Sequence, residues 1–192
     1  AFVIWDKTTG TLFGARDIFG IKPFYYYQNE QGEFLFGSEI KSFLPHPGFE
    51  KKLNESQLEL YLTYQYSPGE NTFFEGVKKL PPAHFLRWKD GEVSVRRYWE
   101  PSFEPDGSRT LEDWETEIQH KMAESVAAHK ISDVEVGSFL SSGVDSSYMA
   151  HLAHVDKTFT VGFADKQYDE TDYAAGFSKF LGVENYAYRI EP

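Results

Sequence analysis

The chain has 192 residues and a formal net charge of −11, and 41% of its residues are hydrophobic and 17% aromatic. That is too apolar for a disordered segment and long enough to bury a core in one domain or two small ones. The acidic balance disfavours a nucleic-acid partner, whose affinity comes from clustered Lys and Arg. The lack of Cys leaves no disulfide framework or thiolate zinc site, which fits a reducing, cytoplasmic compartment.

The chain opens Ala1-Phe2-Val3-Ile4-Trp5, without Met and in a strand-like run, which reads as a piece of a longer protein. It lacks the layout of a secretion signal, and no apolar run reaches the length of a membrane span, so no membrane partner is expected. Aromatic and β-branched runs then alternate with turn clusters: FVIW, DKTTG and TLFG, then FYYY, QNEQGE and FLFG. This predicts hairpins in an antiparallel sheet, with Tyr25, Tyr26 and Tyr27 as alternating sheet positions and not a base-stacking platform.

Asn54 predicts a helix start, with Gln57 as the reciprocal cap, Leu58, Tyr61 and Leu62 on one face, and Ser67-Pro68-Gly69 as the stop. AHFLRW and EVSVRRYW around Lys89-Asp90-Gly91 predict a further hairpin over 83–99. EPSFEPDGSRT, rich in turn formers, reads as a linker at about 100 to 110. The expected division is a first domain over 1–104 and a second over 105–192.

Beyond the linker, Thr110 and Asp113 form an expected capping box, and Leu111, Trp114, Ile118, Met122 and Val126 recur at helical spacing. A strand over 134–140, a helix to about His154, a strand over 158–163 and a helix over 171–181 complete a β-loop-α-β order, which implies a parallel sheet. His120, His129, His151 and His154 form no metal-ligand pattern, so no zinc is expected.

LSSGVDSS at 140–147 lies where the strand gives way to the helix. Such a junction presents backbone amides to an anion. Hydroxyls of Ser141, Ser146 and Ser147 can add donors, Gly143 permits close approach, and Asp145 can hold a Mg²⁺ against phosphate charge. A plain capped turn uses the same residue types. Asp169 and Glu170, in YDET, stay open between helix capping and an approach to metal or substrate.

LSSGVDSS resembles the PP-loop, SGGxDS, of ATP pyrophosphatases, with Ser142 where that pattern has Gly. ARDIFGIKPFYY, FGSEIKSFL, FFEGVKKLPPAHFLRW, RRYW, FTVGF and YDETDYA together resemble glutamine-dependent asparagine synthetase. The resemblance implies an α+β part followed by an α/β part: the end of an N-terminal-nucleophile glutaminase antiparallel sheet, then the first elements of a PP-loop ATP-binding domain. It implies conversion of aspartate, ATP and glutamine to asparagine, AMP, pyrophosphate and glutamate through an aspartyl-adenylate, with Mg²⁺, and it allows a homodimer. An acceptor other than aspartate, or a non-catalytic homologue, is the alternative.

Carried over by position, Asp17 matches the acid that holds the glutamine α-amino group; a turn aspartate paired with Arg16 or Lys22 is the other reading. Ser141, Gly143, Asp145, Ser146 and Ser147 match the pyrophosphate loop. Leu140 and Val161 match positions lining the ATP site and fit strand core equally well. The family's glutaminase nucleophile is a Cys, so the 192 residues alone are expected not to hydrolyse glutamine.

Overall fold

The turn DKTTG closes on Asp6, whose carboxylate accepts the Thr8 amide at 2.8 Å and the Thr9 hydroxyl at 2.7 Å. In the computed structural model, which describes residues 1–190, this turn joins β1 (Phe2–Asp6) to β2 (Thr11–Ala15) as an antiparallel pair. A second hairpin pairs β3 (Tyr25–Gln28) with β4 (Phe34–Gly37). A 3-10 turn at Ile40–Phe43, helix α1 (Ser56–Tyr64) and the short β5 (Lys78–Lys79) follow. In the third hairpin, β6 (His84–Lys89) turns into β7 (Glu92–Arg97) through Asp90 and Gly91 at φ 50° and 82°. That pair of left-handed residues matches the twist of the strands they join.

These strands do not make the one sheet expected of them. They divide into a four-stranded sheet ordered β1-β2-β6-β7 and a three-stranded sheet ordered β4-β3-β5. Leu12 and Leu86 of the first, Tyr26 of the second, and Phe24 and Leu80 from the connections form one buried cluster. Gly14 is required there, since a Cβ would meet the Phe24 ring at 2.8 Å. Burial of the Tyr26 phenol, reinforced by the Glu70 charge, pushes its pKa up to about 12.

The loop after β2 is tied down by Arg16. Its guanidinium donates to the carbonyls of Lys22, Leu80 and Gly20, each at 2.7 Å, while the Tyr98 hydroxyl donates to the Arg16 carbonyl at 2.6 Å.

Helix α1 departs from expectation. Its N-cap is Glu55 with no side-chain cap bond, and Gln57 turns inward, buried, to accept the Ser67 hydroxyl at 2.8 Å. The reciprocal cap is absent because Gln57 satisfies a buried polar group instead. The Asn54 side-chain carbonyl accepts the Ser56 hydroxyl, and the Asn54 backbone amide donates to the Phe73 carbonyl. Leu58, Tyr61 and Leu62 are exposed.

The chain separates into two compact units, Ala1–Glu104 and the residues from Pro105 onward. The second begins with α2 (Leu111–His129), where the Thr110 hydroxyl accepts the Asp113 amide at 3.2 Å and the Asp113 carboxylate accepts the Thr110 amide at 2.8 Å. Those bonds, the amide's first and the Thr110 hydroxyl's second, hold the Asp113 carboxyl below the usual carboxylate pKa. A lowered folded-state pKa makes this contribution complete above the unfolded value, and it is lost as pH falls through the folded one. Thr110→Ala is expected to lower the unfolding free energy of this unit by about 1 kcal/mol, measured by urea titration at neutral pH. The difference should shrink in acid. Along the apolar stripe of α2, Val126 is buried, whereas Leu111, Trp114 and Ile118 are exposed.

The parallel sheet consists of β8 (Gly137–Phe139), β9 (Lys157–Phe163) and β10 (Glu184–Ile190), ordered β10-β9-β8, with α3 (Val144–Ala153) and α4 (Thr171–Leu181) as the crossovers. The first strand is shorter than the expected 134–140, because the Val134 amide donates to the Ser132 hydroxyl and leaves the ladder. Strict alternation along β9 buries Thr158, Thr160 and Gly162 and exposes Phe159, Val161 and Phe163. On the buried side, Leu140, Ala150, Val155 and Ala174 form the core, and Thr158 and Ser178 share a buried hydroxyl bond at 2.7 Å. Among the described residues no helix is long and apolar enough to cross a membrane.

Candidate functional site

The carboxyl end of a parallel strand, followed by a helix start, is where doubly wound sheets place their ligands. Here β8 ends at Phe139, and Leu140 to Gly143 lead into α3 with Gly143 as its N-cap. The loop is wound on serine hydroxyls. The Ser146 hydroxyl accepts the Ser141 amide at 3.2 Å and lies 2.8 Å from the Ser141 hydroxyl, which itself accepts the Gly143 amide at 3.2 Å. The Ser147 amide and hydroxyl both donate to the Gly143 carbonyl, at 3.2 and 3.0 Å. The first-turn amides of Val144, Asp145 and Ser146 find no acceptor among the described residues, and these are the orphan donors of a helix start.

One position of the loop already holds an anion. The Glu170 carboxylate accepts the Ser142 amide at 3.2 Å and the Ser142 hydroxyl. These two bonds, the hydroxyl's first, keep the Glu170 carboxyl below the usual carboxylate pKa. In the sequence Glu170 reads only as a cap or a ligand. The signal that points to this contact is its place at the end of the turn after β9, directly facing the end of β8.

The structure brings Ser141, Gly143, Asp145, Ser146 and Ser147 into this one loop and first turn. It separates Leu140 from Val161. Leu140 is buried among the helices, and its carbonyl accepts the Thr160 hydroxyl at 3.0 Å, while Val161 projects from the opposite, exposed face of the sheet. Asp145 is exposed on the first turn of α3.

Asp17 lies in the other unit. Its two carboxylate oxygens accept the Ile21 and Lys22 amides at 2.8 and 3.0 Å, and its carbonyl accepts the Gly20 and Ala83 amides. The Lys22 bond first, and the Ile21 bond, hold its pKa low. Arg16 beside it serves backbone carbonyls and not Asp17.

The donor set around the loop fits a phosphate chain. It offers three unclaimed amides in a row and a neighbouring amide and hydroxyl that already accommodate a carboxylate. For Mg²⁺ the fit rests on Asp145 alone, since no group of three or more His, Asp or Glu side chains with metal-binding geometry exists among the described residues. One carboxylate suffices where phosphate oxygens and waters complete the octahedron.

Residues 1–99 match the family model for the glutamine amidotransferase domain, and residues 117–192 match that for asparagine synthase. The chain is 38% identical, over its full length, to glutamine-hydrolyzing asparagine synthetase 1 of Bacillus subtilis strain 168, covering 31% of that protein. It is 36% identical to glutamine-hydrolyzing asparagine synthetase 3 of the same organism, over 82% of this chain and 26% of the relative. To a putative glutamine-hydrolyzing asparagine synthetase of Mycobacterium bovis it is 34% identical, over 97% of this chain and 30% of the relative. It thus spans about 30% of the length of these relatives. Two module matches in the family's order, with identity along the whole chain, decide the assignment: the chain belongs to the glutamine-hydrolysing asparagine synthetase family.

Proposed function

We propose that this chain contributes to the synthesis of asparagine from aspartate, ATP and glutamine, with AMP, pyrophosphate and glutamate as the other products of an aspartyl-adenylate route. Residues 1–104 belong in this reading to the glutaminase side, their two antiparallel sheets being part of an N-terminal-nucleophile fold. Residues 105–192 belong to the PP-loop side. The observation that carries the reading is the row of unclaimed amides at Val144, Asp145 and Ser146, at the carboxyl end of a parallel strand.

In this reading the Val144 to Ser146 amides hold the pyrophosphate portion of ATP where Gly143 lets it approach, and the Ser141, Ser146 and Ser147 hydroxyls keep the loop wound so that those amides stay aligned. Asp145 holds Mg²⁺, which supplies charge neutralisation for the phosphates when bound. Leu140 supports the site from the core side. Val161, on the other face of the sheet, can line a nucleotide there through its exposed side chain. The contacts of Asp17 support turn formation in place of ammonium recognition. No Cys occurs among the 192 residues, so a thiol nucleophile for glutamine is not one of them.

The test is turnover by the intact gene product, with asparagine, AMP and pyrophosphate quantified. Asparagine should form from aspartate with either glutamine or ammonium as nitrogen source, in step with pyrophosphate release. Pyrophosphate release indifferent to aspartate, or equal amidation of glutamate, would reject the proposed acceptor.

A further inference from the structure

Glu170 holds the N-cap position of α4, yet its side chain makes no bond to that helix. It crosses instead to the loop after β8 and takes both the amide and the hydroxyl of Ser142. The turn that carries it is fixed from several sides. Asp169 accepts the Thr171 amide at 3.2 Å and pairs with Arg189 at 2.9 Å, and Arg189 also donates to the Thr171 hydroxyl at 3.0 Å. The same turn rests directly on β9, because a Cβ on Gly162 would collide with Asp169 and Thr171. The Glu170 carboxylate is therefore presented to the loop by a braced turn and not by a freely swinging segment.

Resting on the reading of this loop as the phosphate grip, we propose that Glu170 is an internal competitor of ATP, its carboxylate occupying the Ser142 donors that a phosphate reaches only by displacing it. A carboxylate and a phosphate cannot share one amide and one hydroxyl, and two anions in contact repel. Ser142 strengthens the competitor. The SGGxDS pattern has Gly at this position, which offers an amide only, whereas Ser142 adds a hydroxyl and makes the grip on Glu170 two-pronged. The carboxyl group stays ionised at neutral pH, because both bonds favour its charged form.

The experiment is calorimetric titration of the intact gene product with a non-hydrolysable ATP analogue plus Mg²⁺, and separately with adenosine. Glu170→Gln removes the charge but keeps an acceptor, and it should tighten the analogue by roughly tenfold, the scale of one charge-assisted hydrogen bond. Ser142→Ala takes a donor from carboxylate and phosphate alike, so in that background Glu170→Gln should tighten the analogue by less than in the wild type. Adenosine, which lacks phosphates, should bind all forms alike.

Unchanged or weaker analogue binding in Glu170→Gln, with its melting temperature retained, would overturn the competitor. Should that variant not fold, unchanged or weaker binding in Glu170→Ala, which leaves both Ser142 donors in place, overturns it equally. Wild-type protein that binds no analogue would overturn the phosphate-grip reading itself. Wild-type binding that no Glu170 variant tightens overturns the competitor alone.

Discussion

Alanine at Asp145 is expected to lower aspartate-dependent pyrophosphate release by roughly 100-fold, the scale on which preorganised charge stabilisation at a reacting phosphate acts. The side chain is exposed and packs into no core cluster, so its loss should leave the melting temperature of the second unit unchanged. That separation of activity from stability marks a functional carboxylate. A plain capping residue would show the reverse, with stability lost and turnover kept. Asp145→Asn preserves the shape without the charge and should behave like the alanine variant if the charge is what matters. Raising Mg²⁺ should recover part of the rate in the asparagine variant, because a weaker ligand can be offset by metal concentration.

The second large effect lies in the other unit. Arg16→Ala should destabilise it by about 3 kcal/mol, seen as an earlier urea midpoint with an unchanged slope. The guanidinium satisfies three carbonyls from Lys22, Leu80 and Gly20, and its removal leaves a half-buried cluster of acceptors with no donor. Leu80 is also a fully buried member of the sheet-to-sheet cluster, so the loss reaches the core. Arg16→Lys keeps the charge but lacks the planar fork, and should recover less than half of the deficit. An Arg16→Ala variant with wild-type stability would show that Arg16 merely decorates the loop.

Where a few adjacent residues decide the geometry, the sequence could be read directly. Asp90-Gly91 specifies its hairpin through left-handed backbone, and Thr110 with Asp113 specifies its cap through two reciprocal bonds. The LSSGVDSS loop was legible for the same reason: strand end, hydroxyls, glycine and helix start are contiguous. What needed the fold were choices settled by distant partners. Nothing local says that β2 pairs with β6 while β3 pairs with β5 in another sheet. Gln57 looks like a cap until Ser67, ten residues on, claims it.

The same limit separates two candidate ATP-site residues and conceals a third group. Leu140 and Val161 both belong to strand ends in the sequence, but the side of the sheet each faces depends on pleat and register. Glu170 is 28 residues from Ser142, and only the parallel crossover brings them into contact. A carboxylate before a helix ordinarily suggests a cap; here tertiary placement overrides that preference.

The central claim is that the amides following Gly143 hold the pyrophosphate portion of ATP. Its most direct test is an experimental structure of the intact gene product with Mg²⁺ and a non-hydrolysable ATP analogue. The expected result has phosphate oxygens at about 3 Å from the amides of Val144, Asp145 and Ser146. Phosphates bound elsewhere in that complex, with these three amides facing solvent, would contradict the claim.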